Sequence, residues 1–149
     1  GNRFALARAE KGGSGNHAER PHEGQRESPA RSLEACDAAF EVVDDADLLV
    51  LGWGSTWGAI DGAVNRARVG GLRVASAHLT HLNPFPANTA EVLGSYRRVL
   101  VPEVNLGQLL MLIRSAYLVD AVGYDKVRGK PFRIAEIVTE AERLLGEMV

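Results

Sequence analysis

The sequence predicts an α/β protein: an open, mainly parallel sheet with helices on both faces, preceded by an extended arm. Three observations carry this expectation. Short apolar runs of strand composition recur at Leu48–Leu51, Leu72–Ala77, Val99–Val101 and Val119–Val122. Stretches of helical periodicity alternate with them. The loops that close these runs are rich in Gly, Pro, Asn and Ser, as expected where the chain of a parallel sheet turns into a crossover helix.

From Gly1 to about Ala30 the chain is rich in Gly, Arg, Glu, Ser and His and nearly free of β-branched residues. Such a segment buries too little apolar surface to offset its ordering entropy, and it is expected to be an arm. Ser32 to Phe40 reads as a short helix, with Ser28 as N-cap and Pro29 at the first helical position. The arm and this helix make up residues 1–41, and the α/β domain is expected over 42–149.

Leu48–Leu51 reads as a buried strand, followed by a helix over Ser55–Ala67 that a Ser-Thr cap starts and Gly70-Gly71 stops. Leu72–Ala77 is the next strand. Pro84 and Pro86 keep the following loop irregular, after which Asn88 or Thr89 caps a short helix to about Tyr96. Val99–Val101 is the third strand, Asn105 caps a helix through about Leu118, and Val119–Val122 is the fourth strand. Ile134–Met148 is amphipathic, with Ile134, Ile137, Val138, Ala141, Leu144 and Leu145 on one face. In this order the GWGST, HLNPFP, PEVNLGQ and GYDKVRGKPF loops all reach the carboxyl edge of the sheet, where open α/β folds meet ligands and partners.

Composition narrows the function classes. A length of 149 residues, 46% of them hydrophobic, suits a single core. A net charge of -2 leaves no electrostatic footprint for nucleic acid. No apolar run approaches the roughly 18 residues that span a bilayer, and the N-terminus lacks a signal-peptide core, so no membrane partner and a cytoplasmic location are expected. Cys36 is the only cysteine, which excludes an internal disulfide and a cluster held by this chain's thiolates alone. The chain opens on Gly1-Asn2-Arg3 without Met, as a piece of a longer or processed product would.

The most informative stretch is DLLVLGWGSTWG, Asp47 to Gly58, where an apolar strand runs into a glycine-rich turn and a helix. That geometry presents backbone N–H groups at the carboxyl end of a strand. The glycines are spaced GxGxxxG, not GxGxxG, and the second apolar run ends in His78 where a dinucleotide fold places an acid for the ribose hydroxyls. A nicotinamide site is therefore disfavoured. No Lys-Ser or Lys-Thr follows the glycines, so a P-loop is disfavoured too.

Candidate residues follow from these loops. Gly54, Ser55 and Thr56 stand where a helix start can receive a carboxylate or phosphate, although Ser and Thr there are also plain caps. Lys130 and Arg128 bring positive charge to the same edge, as a solvated loop or as contacts to a coenzyme phosphate. Trp53 and Trp57 flank the turn as buried anchors of the sheet or of a subunit contact, more readily than as stacking platforms. Asn83 and Phe85 belong to a rigid turn that offers Phe85 to a neighbour or plugs the core. Glu103 can pair across an interface, while Asn105 and Gln108 begin the next helix. His78 and His81 lack a third ligand, so no metal site is expected.

The runs GWGSTWGAI, LNPFP, VPEVNLGQL and YDKVRGKPF, in this order and at these loop positions, resemble the C-terminal domain of the alpha subunit of 2-oxoacid:ferredoxin oxidoreductases. The similarity covers about Val42 to Met148 and is greatest to the 2-oxoglutarate (KorA-type) enzymes. It implies a transketolase C-terminal-like domain. It also implies an enzyme that uses thiamine diphosphate, magnesium, an iron–sulfur cluster and coenzyme A to decarboxylate a 2-oxoacid, release acyl-CoA and reduce ferredoxin. In that family the thiamine-activating glutamate lies in a preceding pyrimidine-binding domain, and the diphosphate–magnesium site and cluster cysteines lie on the beta subunit.

The resemblance therefore implies a chain that is inactive alone and binds no cofactor by itself. Its partners would be the beta subunit and the remainder of the alpha subunit, with ferredoxin reached through the complex. Trp53, Trp57, Asn83, Phe85, Glu103, Asn105 and Gln108 are the expected interface. The alternative is a free-standing α/β module that holds a small anionic ligand at the GWGST turn.

Overall fold

The computed structural model describes residues 39–41 and 45–148, all within one compact unit, Arg31–Val149. The elements run β1 (Ala39–Glu41), β2 (Leu48–Trp53), a 3-10 turn (Gly54–Thr56), α1 (Trp57–Val69), β3 (Val74–Leu79) and α2 (Thr89–Gly94). They continue with β4 (Arg98–Glu103), α3 (Gln108–Tyr117), β5 (Ala121–Asp125) and α4 (Ile134–Gly146). The sheet order is β1-β3-β2-β4-β5. Strands β2 to β5 pair parallel, and β1 adds to the free edge of β3 antiparallel, with Ala39 opposite His78 and Glu41 opposite Ser76.

Strand alternation sorts the core into two layers. Leu49, Leu51, Ala75, Ala77, Leu79, Val99 and Val101 face one side, where Val92 and Leu93 of α2 and Leu109 and Ile113 of α3 cover them. Leu48, Val50, Val74 and Leu100 face the other, under Ile60, Ala63, Val64 and Ala67 of α1 and Ile137, Ala141 and Leu144 of α4. Helices on both faces are thus a direct result of strands whose two faces are both apolar.

Two local expectations are corrected. Ala39 and Phe40, assigned to the end of a helix, stand in strand β1, because the exposed ladder edge of β3 captures this apolar segment. The rest of the Ser32–Phe40 helix and the arm before it lie outside the described residues, as does Cys36. The Ser-Thr cap falls within a 3-10 turn: Thr56 holds the N-cap position of α1 but makes no side-chain cap bond, and its hydroxyl donates back to the Trp53 carbonyl at 2.9 Å.

One topological feature positions the site. β2 pairs with β3 as far as Trp53↔Leu79, but with β4 only from Leu48↔Arg98 to Val50↔Leu100. Beyond Val50 the two central strands part. From β2 the chain passes to α1 on one face, and from β4 to α3 on the other, which makes a topological switch point of the kind that opens a crevice in α/β sheets. Pro102 falls in the part of β4 that β2 no longer pairs, where a missing amide donor breaks no bond to that strand.

Candidate functional site

Three loops meet at this opening. In the first, Gly52 is required by close approach: a Cβ there would stand 2.3 Å from Ile60 Cδ1 and 2.9 Å from Thr56 Oγ1. Gly54 takes φ +61°, which L side chains rarely adopt, and this reverses the chain into α1. The turn leaves Trp53 and Trp57 36% and 47% exposed. Trp57 packs edge-on to the His78 ring, with centroids 5.3 Å apart and planes at 73°. Burial lowers the His78 pKa from its ordinary 6.5, and a hydrogen bond to the Gly54 backbone opposes that shift.

The second loop is built around Glu103, which is 1% exposed. Its two carboxylate oxygens accept from the Leu109 and Leu110 amides at 2.9 and 2.8 Å, and Asn105 Oδ1 accepts from Gly107 N and Gln108 N at 2.9 and 3.1 Å. All four amides at the start of α3 are therefore satisfied from within the chain, and a negative charge sits at the positive end of the helix. Beside it, burial and the Glu103 charge both raise the Asp125 pKa. The turn carries Val104 and Leu106 outward, 43% and 79% exposed.

The third loop is pinned by Lys126, whose ammonium donates to Glu136 at 2.6 and 2.9 Å and to the Pro131 carbonyl at 3.0 Å, and lies 5.5 Å from the centre of the Phe132 ring. Its amide donates to the Glu103 carbonyl at 2.8 Å, joining the second and third loops. The Arg133 amide and the Lys126 ammonium hold the Glu136 carboxyl below its ordinary value. Arg128 and Lys130 project from the loop so anchored. Between the first and third loops lies a cleft of about 280 Å³ lined by Ser55, Thr56, Ala59, Val104, Gly129, Lys130, Pro131 and Phe132.

The structure thus brings Ser55, Thr56 and Lys130 together, with Gly54 at the head of the same turn. It places Phe85 elsewhere. The loop after β3 lies back over the face covered by α2 and α3, where Phe85 is half-buried and meets Tyr117 edge-on at 5.5 Å. Tyr117 ends the ten-residue α3, so Phe85 is about 15 Å along that helix from the Gln108 end. Asn83 is exposed on the same loop, and Gln108 is exposed at the start of α3. Among the described residues no group of three or more His, Cys, Asp or Glu is placed to hold a metal ion. No described helix is long and apolar enough to cross a membrane.

Residues 46–137 match the family described as pyruvate:ferredoxin oxidoreductase core domain II. The chain belongs to this family. It is 54% identical over 93 residues to the 2-oxoglutarate oxidoreductase subunit KorA of Mycobacterium tuberculosis, covering 62% of this chain and 14% of that protein. Among solved structures it is similar to the 2-oxoglutarate:ferredoxin oxidoreductase of Magnetococcus marinus, a structure with 2-oxoglutarate, coenzyme A and succinyl-CoA bound. The TM-score is 0.67 at 32% identity, over 72% of this chain and 19% of that one.

The alpha chain of a probable 2-oxoacid ferredoxin oxidoreductase from Thermoplasma acidophilum matches at TM-score 0.51 and 25% identity, over 73% of this chain and 97% of that one. A split-gene transketolase shares the fold at 16% identity and TM-score 0.53. This core domain II chain therefore has the transketolase-like architecture, and it spans less than a fifth of the mycobacterial and Magnetococcus chains it matches.

Sequence reasoning missed the parts that build this domain's cleft. Ala59, Val104 and Phe132 line it, and Lys126 holds its outer wall. Lys126 and Glu136 lie ten residues apart across a loop, and no local spacing rule pairs them. Val104 carried a usable signal, as an apolar residue between the polar Glu103 and Asn105 of a surface turn.

Proposed function

We propose that this domain supports subunit assembly and forms part of the wall of the cofactor cleft in a 2-oxoglutarate (2-oxoacid):ferredoxin oxidoreductase. The observation that carries this reading is the row of exposed apolar side chains at the parted sheet edge: Trp53, Trp57, Val104 and Leu106. Large aromatic and apolar groups ringed by a few polar ones are what interface centres are made of. Asn105 and Gln108 supply polar groups beside that surface, while Asn83 and Phe85, on the loop that lies over α3, would extend the interface along that helix. Glu103 acts through the backbone, since it fixes the turn that presents Val104 and Leu106.

The reaction of such an enzyme decarboxylates a 2-oxoacid, passes the acyl group to coenzyme A and delivers electrons to ferredoxin. Thiamine diphosphate, magnesium and an iron–sulfur cluster supply the carbanion and electron-transfer chemistry when bound. The described residues contain no cysteine and no group of three or more His, Cys, Asp or Glu placed to hold a metal ion, so they offer no thiolate set for an iron–sulfur cluster. Their contribution is to place surfaces: the beta subunit and the remainder of the alpha subunit would close over the edge.

The test is turnover of 2-oxoglutarate with a viologen acceptor. The purified 149-residue chain should be inactive and retain no thiamine diphosphate, and activity should require the complete alpha–beta assembly. Turnover by the chain alone would overturn the proposal.

The cleft favours a second reading, a small anion held at the GWGST turn. No side chain caps the start of α1, the 3-10 turn before it contributes Ser55 and Thr56, and Lys130 adds the only charge in the lining. Phosphate or 2-oxoglutarate titrated against the chain should then perturb the Ser55 and Thr56 amide resonances, and Lys130→Ala should weaken binding about tenfold, the worth of one charge-assisted hydrogen bond. Equal, non-saturating shifts in both proteins would eliminate this reading.

A further inference from the structure

His78 belongs to no step above, yet its surroundings are specific. It stands at the carboxyl end of β3, opposite Gly52 of β2 in the parallel ladder and opposite Ala39 of β1. Its Nδ1 atom is buried and has no hydrogen-bond partner. That atom lies 3.3 Å from where a Cβ on Gly52 would be, a tight approach that the glycine leaves open. The other contacts lead to the first loop: the Gly54 backbone and the edge of Trp57.

We infer that His78 is a positioning residue that braces Trp57 and the Gly54 turn as a neutral imidazole, and that gaining a proton releases Trp57 from that brace. The inference rests on the assembly reading only for its consequence, because Trp57 is part of the proposed interface. Gly52 of β2, the Gly54 backbone and Trp57 of α1 lie against the ring, and none of these ionises at neutral pH. On the other side β1 sets Ala39 opposite His78, with Glu41 two residues along that strand opposite Ser76. The nearby His81 is engaged by the Thr80 hydroxyl at 2.9 Å. The buried Nδ1 has no partner, so a proton placed there would meet no acceptor.

Burial holds the folded pKa below 6.5. Between 6.5 and the folded pKa the unfolded chain binds the extra proton, so stability is lost as pH falls through that window, and the Trp57 brace is lost as pH falls through the folded pKa itself.

The experiment reads Trp57 emission in the 149-residue chain carrying Trp53→Phe, from pH 8 to pH 5, beside the ring-proton NMR titration of His78 in the unaltered chain. Trp57 emission should change in a single step with a midpoint below pH 6.5 that coincides with the His78 titration. The step should vanish in His78→Phe, which keeps an aromatic ring without a titrating nitrogen, and persist in His81→Phe. A step that survives His78→Phe, or a His78 titration at or above 6.5, overturns the inference. If His78→Phe fails to fold, the comparison of midpoints carries the test: a Trp57 step that does not coincide with the His78 titration overturns the inference. Neither measurement uses a partner subunit, so the brace and the assembly reading succeed or fail separately.

Discussion

Replacing Glu103 by Ala should destabilise the domain by about 3 kcal/mol or more in urea unfolding, and the loss should be concentrated at the start of α3. Both oxygens of this buried side chain accept backbone amides, from Leu109 and Leu110. Removing the carboxylate leaves two buried or half-buried N–H groups with no acceptor, and each such orphan costs about 1–3 kcal/mol. The helix also loses the negative charge at its positive end. Glu103→Gln keeps one oxygen and turns an NH2 toward an amide, so it should fall about midway.

Asn105→Ala, at a more exposed cap, should cost only about 1 kcal/mol. Amide exchange at Leu109 and Leu110 should accelerate in the Glu103 variants and not elsewhere in the sheet. A second read-out is independent of stability. Part of the elevation of the Asp125 pKa comes from the Glu103 charge, so the Asp125 carboxyl should titrate lower in Glu103→Ala. A variant that unfolds within about 0.5 kcal/mol of wild type, with an unmoved Asp125, would show that the α3 amides find other acceptors.

The same residue shows how far the sequence could be read. The strand before Pro102, the Asn105 cap and the helix after it were legible because each is a local signal: an apolar run, an Asx residue, a 3.6 periodicity. Glu103 looked like an interface carboxylate because a charged residue in a surface loop is solvated by default. Its burial depends on β4 running on to Glu103 beyond the point where β2 leaves it, which is a matter of strand register and not of residues near it in sequence.

The pattern repeats at the other loops. Ser55 and Thr56 were rightly placed at a helix start, but the positive φ of Gly54 and the lack of room at Gly52 make that start a 3-10 turn and leave the Thr56 hydroxyl to Trp53. Strand β1 was misread because an edge strand is specified by its partner's open ladder as much as by its own composition. Phe85 sits in a loop whose direction no local rule fixes, and it took the α3 face of the sheet.

Trp57→Ala and Ile137→Ala should separate assembly from folding. Ile137 is 1% exposed and lies with Ala141 and Leu144 beneath α4, against Leu48, Val50 and Leu100 of the sheet. Truncating it removes buried methyl groups and leaves a cavity between two packed layers, which costs about 2–5 kcal/mol of folding stability. Trp57 is half-exposed and meets the His78 ring edge-on, so its loss should lower the melting temperature of the isolated chain far less. Its effect should appear in association: an aromatic anchor at an interface centre typically contributes about 2 kcal/mol or more, which is roughly a thirtyfold weaker complex with the beta subunit and the remainder of the alpha subunit.

Thermal melts of each variant, set beside co-purification with the partner subunits, read the two quantities independently. Phe85→Ala should fall between the two, since Phe85 both packs on Tyr117 and borders the surface loop that carries Asn83. The opposite pattern is equally measurable. If Trp57→Ala melts as low as Ile137→Ala while its folded fraction assembles normally, then the exposed indole is an outlying part of the core. The parted edge of β2 and β4 would then have to meet its partners through Trp53, Val104 and Leu106.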